Sequence, residues 1–307
     1  MAACISQTLP EKIGVAPGPP VNATFPESWQ NPGIAYGIYP LAGGHFECPT
    51  CGGPCHYFDR AVAWAIHEGY RHIDTAQHYG NEGQASYGIQ GSAVARDEIF
   101  LTTKLTEDTN GRGTTRAALD LSIDRLAGLT PDLALIHYPR NDIAGAWHDL
   151  LDARAAGLCR HVGVSNFEIR HLERVHQSSG IWPEVNQIEF HPLMAAVQLP
   201  TVQFCLERSI AVEGFSPLAQ GQLLANPAVL TLALAYGWTP AQLLLRWCIQ
   251  HRVKPIVSSR SVGHLREDIA SHFITDRISV PDMDAIDQLG PTYRVSLNWY
   301  WDSSQEP

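Results

Sequence analysis

From Gly33 onward the chain alternates short apolar runs of about five to seven residues with longer amphipathic stretches. The apolar runs predict strands at Gly33–Tyr39, Tyr70–Asp74, Glu98–Lys104, Asp132–His137, His161–Ser165, Glu184–Glu189, Ser209–Phe215 and Val253–Ser258. The stretches between them predict helices at Phe58–Glu68, Thr114–Leu126, Ile143–Ala156, Phe167–Gln177, Ala196–Glu207 and Pro240–His251. Gly69 and Gly157 stand where two of these helices must stop, and Thr239-Pro240 supplies a cap and a first-turn proline for the last one. Eight strand–helix units, spaced by about 25–45 residues, have the count and period of an α/β fold built as a single (β/α)8 TIM barrel. A doubly wound sheet would want a Gly-rich phosphate turn after an early strand, and no G-x-G-x-x-G occurs. No Gly/Ser linker divides the barrel region, so residues 1–307 read as one domain. Residues 1–30 form an N-terminal extension, 43–56 an inserted Cys/His-rich loop after the first strand, and 290–307 a C-terminal tail.

In such a barrel, a polar residue that ends an apolar strand points into the C-terminal mouth, where these folds place their chemistry. Asp74 ends Tyr-Arg-His-Ile-Asp, with Tyr79 in the following loop. Lys104 ends Ile-Phe-Leu-Thr-Thr-Lys, and His137 ends Leu-Ala-Leu-Ile-His. Ser165 and Asn166 close Val-Gly-Val-Ser-Asn, while Gln187 and Glu189 lie in Val-Asn-Gln-Ile-Glu-Phe. A lone His or Asp at such a place is often a satisfied core residue or a helix cap. Lys104 is harder to explain that way. It is one of three lysines in the chain, and a buried ammonium is costly unless a carboxylate such as Asp74 pairs with it. A phenol beside this pair is expected to have its pKa lowered by the cation, towards a useful general acid. His137 is placed to hydrogen-bond a carbonyl oxygen. Together these groups suit protonation of an oxygen during carbonyl reduction, with the hydride supplied by a cofactor.

The composition narrows the partners. Lys+Arg is 21 against Asp+Glu 31, a net charge of -10, which argues against nucleic acid and anionic lipid. No apolar run reaches the roughly 18 residues of a membrane span, and the opening MAACISQTLPEKIG lacks the pattern of a secretory signal. The expectation is a soluble cytoplasmic protein. Its seven cysteines include Cys48, Cys51 and Cys55, flanked by His45 and His56. The C-x2-C spacing fits half of a zinc site, but a structural site usually draws two ligand pairs from separate segments. A Gly/Pro-rich surface loop with reduced thiols is the simpler reading, and no metal is assigned.

Gly69-Tyr-Arg-His-Ile-Asp74-Thr-Ala-Gln-His-Tyr79-Gly-Asn-Glu82 closely resembles a signature of the aldo-keto reductases, nicotinamide-dependent barrel enzymes. So do Thr103-Lys104-Leu105, Leu135-Ile-His137-Tyr-Pro139, Gly163-Val-Ser-Asn166-Phe167 and Gly214-Phe-Ser-Pro-Leu218, in order from about Gly33 to Asp268. The resemblance implies NAD(P)H-dependent reduction of an aldehyde or ketone by a catalytic tetrad of Asp74, Tyr79, Lys104 and His137, with Tyr79 as proton donor. It implies a small-molecule carbonyl or alcohol as partner, and a monomer. Ser165, Asn166 and Gln187 would hold the nicotinamide carboxamide, Phe215 would stack on the ring, and Ser216 and Leu218 would follow the pyrophosphate. Asp74, Gly37 and Tyr39 would also border the cofactor, and Tyr39, His78, Thr106, Tyr138 and Trp299 the substrate, with Trp301 as a further contributor.

Two departures stand out. The first strand ends Gly37-Ile38-Tyr39, where the family usually has Gly-Thr-aromatic. At the adenosine end, Ser258, Ser259, Arg260, His264, Glu267 and Asp268 occupy the cofactor positions. Ser258 and His264 stand where the family usually places the Lys and Arg that clamp the 2′-phosphate. Arg260 and Arg266 are nearby cations able to compensate. NADP(H) is the favoured cofactor and NAD(H) the alternative. The alternative to an enzyme is a catalytically weak, cofactor-binding regulatory or redox-sensing barrel. A zinc hydrolase of this fold would want a His-x-His, and none occurs.

Overall fold

The structure, a computed structural model, describes residues 33–39, 57–259, 261–290 and 295. The proposed extension, the Cys/His loop with its zinc question, Arg260, Trp299 and Trp301 lie outside the described residues. Eight parallel strands close on themselves in chain order. They are β1 (Ala35–Gly37), β2 (His72–Asp74), β3 (Phe100–Leu105), β4 (Leu133–Ile136), β5 (His161–Ser165), β6 (Val185–Glu189), β7 (Ala211–Phe215) and β8 (Val253–Val257). Closure falls on β1, which registers Gly37 against Asp74 of β2 and Ala35 against Ile256 of β8. All eight expected strands are present, although several are shorter than their apolar runs.

The helices are α1 (Tyr57–His67), α2 (Glu82–Gln90), α3 (Thr114–Arg125), α4 (Ile143–Ala155), α5 (Ile169–Ser179), α6 (Ala195–Glu207), α7 (Pro227–Tyr236), α8 (Pro240–Gln250), α9 (Val262–Ala270) and α10 (Val280–Asp287). All six expected helices are found. Their ends follow local chemistry. The Thr239 hydroxyl accepts from the Gln242 N–H, and the Gln242 side chain accepts in return from the Thr239 N–H, a reciprocal cap with Pro240 in the first turn. Gly69 (φ 107°) and Gly157 (φ 76°) adopt the left-handed backbone that lets the chain turn away after α1 and α4. No single described helix is long and apolar enough to cross a membrane.

Alternation along the strands divides the core in two. Outward positions such as Ile136, Val164 and Val212 pack with Trp147, Phe190 and Trp247 under the helices, while Tyr36, Ile73 and Leu101 pack with Ile66 and Tyr70. Inside the barrel, Phe100, Leu133, Leu135, Val185 and Ala211 form a separate apolar floor. The inward position of β5 is Gly163 because a Cβ there would lie 2.6 Å from the Val185 carbonyl oxygen and 2.8 Å from Leu135 Cδ2. Above this floor the interior turns polar. Branched apolar residues usually fill a barrel of this kind, but here β2, β3, β6, β7 and β8 contribute His72, Asp74, Thr102, Lys104, Gln187, Glu213 and Lys254, all buried.

Candidate active site

Asp74 and Lys104 are both the inward residues at the C-terminal ends of their strands, so strand alternation alone aims them at one another. Lys104 Nζ lies 2.5 Å from Asp74 Oδ1 and also donates to the Thr75 carbonyl at 3.2 Å. Tyr79 comes from the single helical turn Gln77–Tyr79 after β2, which Gly80 ends in left-handed geometry. The buried Gln77 side chain ties that turn down: its Nε2 donates to the Ala118 carbonyl, and its Oε1 accepts from the Thr106 N–H. The Tyr79 hydroxyl therefore sits 3.1 Å from Lys104 Nζ. The His137 ring follows β4 and meets the Tyr79 ring edge-on, centroid to centroid 5.8 Å. The four residues expected to act together are brought together.

The electrostatics differ from the expectation in one respect. The Tyr79 ring is partly exposed, but its hydroxyl sits deep, and burial pushes its pKa well above 10; the Asp74 carboxylate adds to the rise. The cation does not lower it, because Asp74 offsets Lys104 and desolvation dominates. His137 moves the other way, pushed well below its usual range by burial and then by Lys104. At neutral pH the site holds a protonated phenol and a neutral imidazole.

Among the expected substrate residues, Tyr39 is exposed and packs edge-to-face on Tyr79 at 4.9 Å. Tyr138 stacks on His137 at 4.6 Å, and His78 stands 6.1 Å from His137. Thr106 lies on the same rim, held through Gln77.

The expected cofactor residues adjoin the catalytic ones. Ser165 Oγ donates to the Gln187 carbonyl at 2.9 Å. Asn166, at a left-handed φ of 64°, spends its Nδ2 on the His137 carbonyl and Ser165 Oγ, leaving Oδ1 buried with no hydrogen-bond partner. Gln187 Nε2 donates to Asp74 Oδ2 at 2.8 Å and to Glu213 Oε2 at 2.9 Å, so its Oε1 is left as the acceptor. Two amide oxygens with open acceptor capacity fit the NH2 of a carboxamide. Phe215 ends β7, and the turn after it runs through left-handed backbone at Ser216, Ala219 and Gln220 beside Leu218; non-glycine strain of this kind collects at binding sites. Gly37 faces Ile256, whose Cγ2 lies 2.9 Å from where a Cβ would be.

The residues expected at the adenosine end gather around the start of α9. Ser259 is buried, with its carbonyl accepting from the Tyr36 hydroxyl and its Oγ from the Ser261 N–H. Ser258 and His264 are exposed. Arg266, named as a compensating cation, is engaged elsewhere: its Nε and Nη2 grip the Glu68 carboxylate at 2.7 and 3.0 Å. Beside the half-buried Glu267, Asp268 is buried, and burial lifts its pKa to about 7. Glu189, the last residue of β6, is buried, bonded to His191 at 3.0 Å, and accepts the Val295 N–H at 2.7 Å. The strand-end test also missed Glu213 and Lys254. Each is a lone charge inside an apolar run, the same signal that singled out Lys104.

An eight-stranded parallel barrel carrying a buried Lys–Asp pair against a tyrosine, with amide acceptors beside it, fits a nicotinamide-dependent oxidoreductase. The profile of the Aldo/keto reductase family matches residues 56–290. An aldo-keto reductase of Mycolicibacterium smegmatis is 42% identical over 253 residues, covering 79% of this chain and 90% of that protein. A glyoxal reductase of Bacillus subtilis is 39% identical over 239 residues, 78% of this chain and 85% of that one. The crystal structure of a Bombyx mori aldo-keto reductase in complex with NADP superposes with a TM-score of 0.74 at 32% identity, over 85% of this chain and 90% of that chain. The chain belongs to the aldo-keto reductase family, whose NAD(P)H-dependent carbonyl reduction is the activity this fold serves.

Proposed function

We propose that Tyr79 protonates the oxygen of an aldehyde or ketone held at the mouth beside His137, Tyr39, His78, Thr106 and Tyr138. The observation that carries this reading is the unbroken contact from Asp74 through Lys104 to the Tyr79 hydroxyl. A bound nicotinamide cofactor would supply the hydride. Asn166 Oδ1 and Gln187 Oε1 would accept from its carboxamide and so would fix which ring face meets the substrate. As the carbonyl oxygen gains charge, neutral His137 donates a hydrogen bond to it and Tyr79 transfers its proton. The tyrosinate left behind is stabilised by the Lys104 ammonium and regains a proton from solvent. Asp74 holds that ammonium in place.

At the adenosine end, the cofactor taken is NADP(H), held with a narrow margin over NAD(H). Ser258 and His264 place no fixed cation there, and Arg266 is committed to Glu68. A charge-assisted hydrogen bond to phosphate contributes roughly 1.5–3 kcal/mol, so without a fixed clamp among the described residues the preference is expected to fall to about tenfold or less. Paired NADPH and NADH titrations followed by turnover on a carbonyl panel test both parts. The Bacillus subtilis glyoxal reductase puts short dicarbonyls first on that panel. Cofactor binding without turnover on any carbonyl would instead favour a regulatory barrel.

A further inference from the structure

Beneath the catalytic pair the barrel holds a second pair of opposite charges. Glu213 on β7 and Lys254 on β8 are register partners on adjacent strands, 0% and 3% exposed. The Glu213 carboxylate reaches in two directions. Its Oε2 accepts from Gln187 Nε2 at 2.9 Å, and its Oε1 lies 3.7 Å from His72 Nδ1. The other ring nitrogen of His72 bonds Thr102 Oγ1 at 2.8 Å. Gln187 Nε2 therefore donates both of its protons to carboxylates, one to Asp74 above and one to Glu213 below. Two carboxylates bonded to a single nitrogen repel strongly in a dry interior unless each has its own cation. Asp74 has Lys104, and Glu213 has Lys254.

We propose that Glu213 and Lys254 are positioning residues: Glu213 holds the Gln187 amide from below so that its oxygen faces the cofactor, and Lys254, its register partner on β8, is the neighbouring counter-charge to that carboxylate. The inference rests on the reading of Gln187 as a cofactor-holding residue. Without the lower bond, Gln187 is tethered by Asp74 alone and can turn its amide, presenting nitrogen where the carboxamide needs an acceptor. The groups that face this pair are His72 and Asp74 from β2, Lys104 from β3, Gln187 from β6 and His272 from the turn after α9. His72 is pushed well below its usual range by burial, with Lys254 and Lys104 adding to the drop, so it stays neutral. His272 falls to about 4, likewise by burial first, and serves as acceptor for the Gly33 N–H. Burial also draws Lys254 down, to about 7, against the pull of Glu213.

Two double variants separate grip from charge. Both delete the ion pair and keep the volume apolar or neutral, which buried pairs usually tolerate. Glu213→Gln with Lys254→Met preserves an acceptor for Gln187, whereas Glu213→Leu with Lys254→Met removes it. Cofactor dissociation constants read by tryptophan fluorescence, with no turnover required, are expected to stay within about twofold of the parent in the first and to rise about tenfold in the second, the loss of one hydrogen bond. Equal affinities in the two doubles overturn the proposal. Unlocked Gln187 should also lower kcat more than it raises KM for the carbonyl, and the reverse split likewise counts against it. If no carbonyl is reduced by the parent, the binding comparison still decides this point independently of the proposed reaction.

Discussion

The Lys104 ammonium lies 3.1 Å from the Tyr79 hydroxyl and 2.5 Å from Asp74 Oδ1, so a single cation serves a phenol and a carboxylate at once. Because Asp74 neutralises it in the resting state, the cation leaves the phenol protonated. It becomes an uncompensated partner for Tyr79 only when the proton departs. Tyr79→Phe removes the proton and little else, since the ring still packs against Tyr39 and His137. The expected result is a loss of kcat of about 10³-fold or more with the cofactor dissociation constant nearly unchanged. Unchanged turnover would remove Tyr79 as the acid.

Removing the cation costs stability as well as activity. Lys104→Met strands the Asp74 carboxylate, 2% exposed, with only the Gln187 amide as partner. Breaking one side of a buried pair typically costs about 3–5 kcal/mol. The paired change Asp74→Asn with Lys104→Met should recover most of that loss in thermal denaturation while leaving reduction abolished. A double variant no more stable than Lys104→Met would show that the loss is one of packing and not of stranded charge.

The eight strands and the tetrad were legible because period-two apolar runs ended by Asp74, Lys104 and His137 carry both the fold and the direction of the side chains. Other features were hidden for specific reasons. The α7 sequence Pro-Ala-Val-Leu-Thr-Leu-Ala-Leu-Ala-Tyr is apolar nearly all round and shows no face, and α2 is diluted by Gly83 and Gly88. The direction of the Tyr79 shift depended on how deep its hydroxyl sits. That Arg266 closes on Glu68, 198 positions away, is fixed by the approach of α9 to α1, which no local pattern encodes.

Glycine at position 163 is a packing requirement of the barrel floor. Gly163→Ala drives a Cβ to 2.6 Å from the Val185 carbonyl oxygen, and a strand backbone in a closed barrel has little room to retreat. The expected loss is about 1–3 kcal/mol in urea unfolding. Trimming Leu135 as well, in Gly163→Ala with Leu135→Ala, relieves only the side-chain contact, so stability should not return. Full recovery in that pair would place the strain on Leu135 instead of the backbone.

Asp268 gives a pH dependence whose sign follows from its raised pKa. In the unfolded chain an aspartate titrates near 3.9, whereas here burial holds Asp268 to about 7. Between these values the folded protein keeps a proton that the unfolded chain releases. Stability therefore falls as pH rises through that window and stays lowered above 7. Asp268→Asn removes the ionisation while keeping the shape. Its stabilising effect on the cofactor-free protein should be larger at pH 8 than at pH 5 by about 2–3 kcal/mol, the linkage value of roughly two pH units of differential titration. Thermal or urea unfolding at the two pH values measures it directly. A gain that is the same at both would mean that Asp268 ionises in the folded protein as freely as in the unfolded chain.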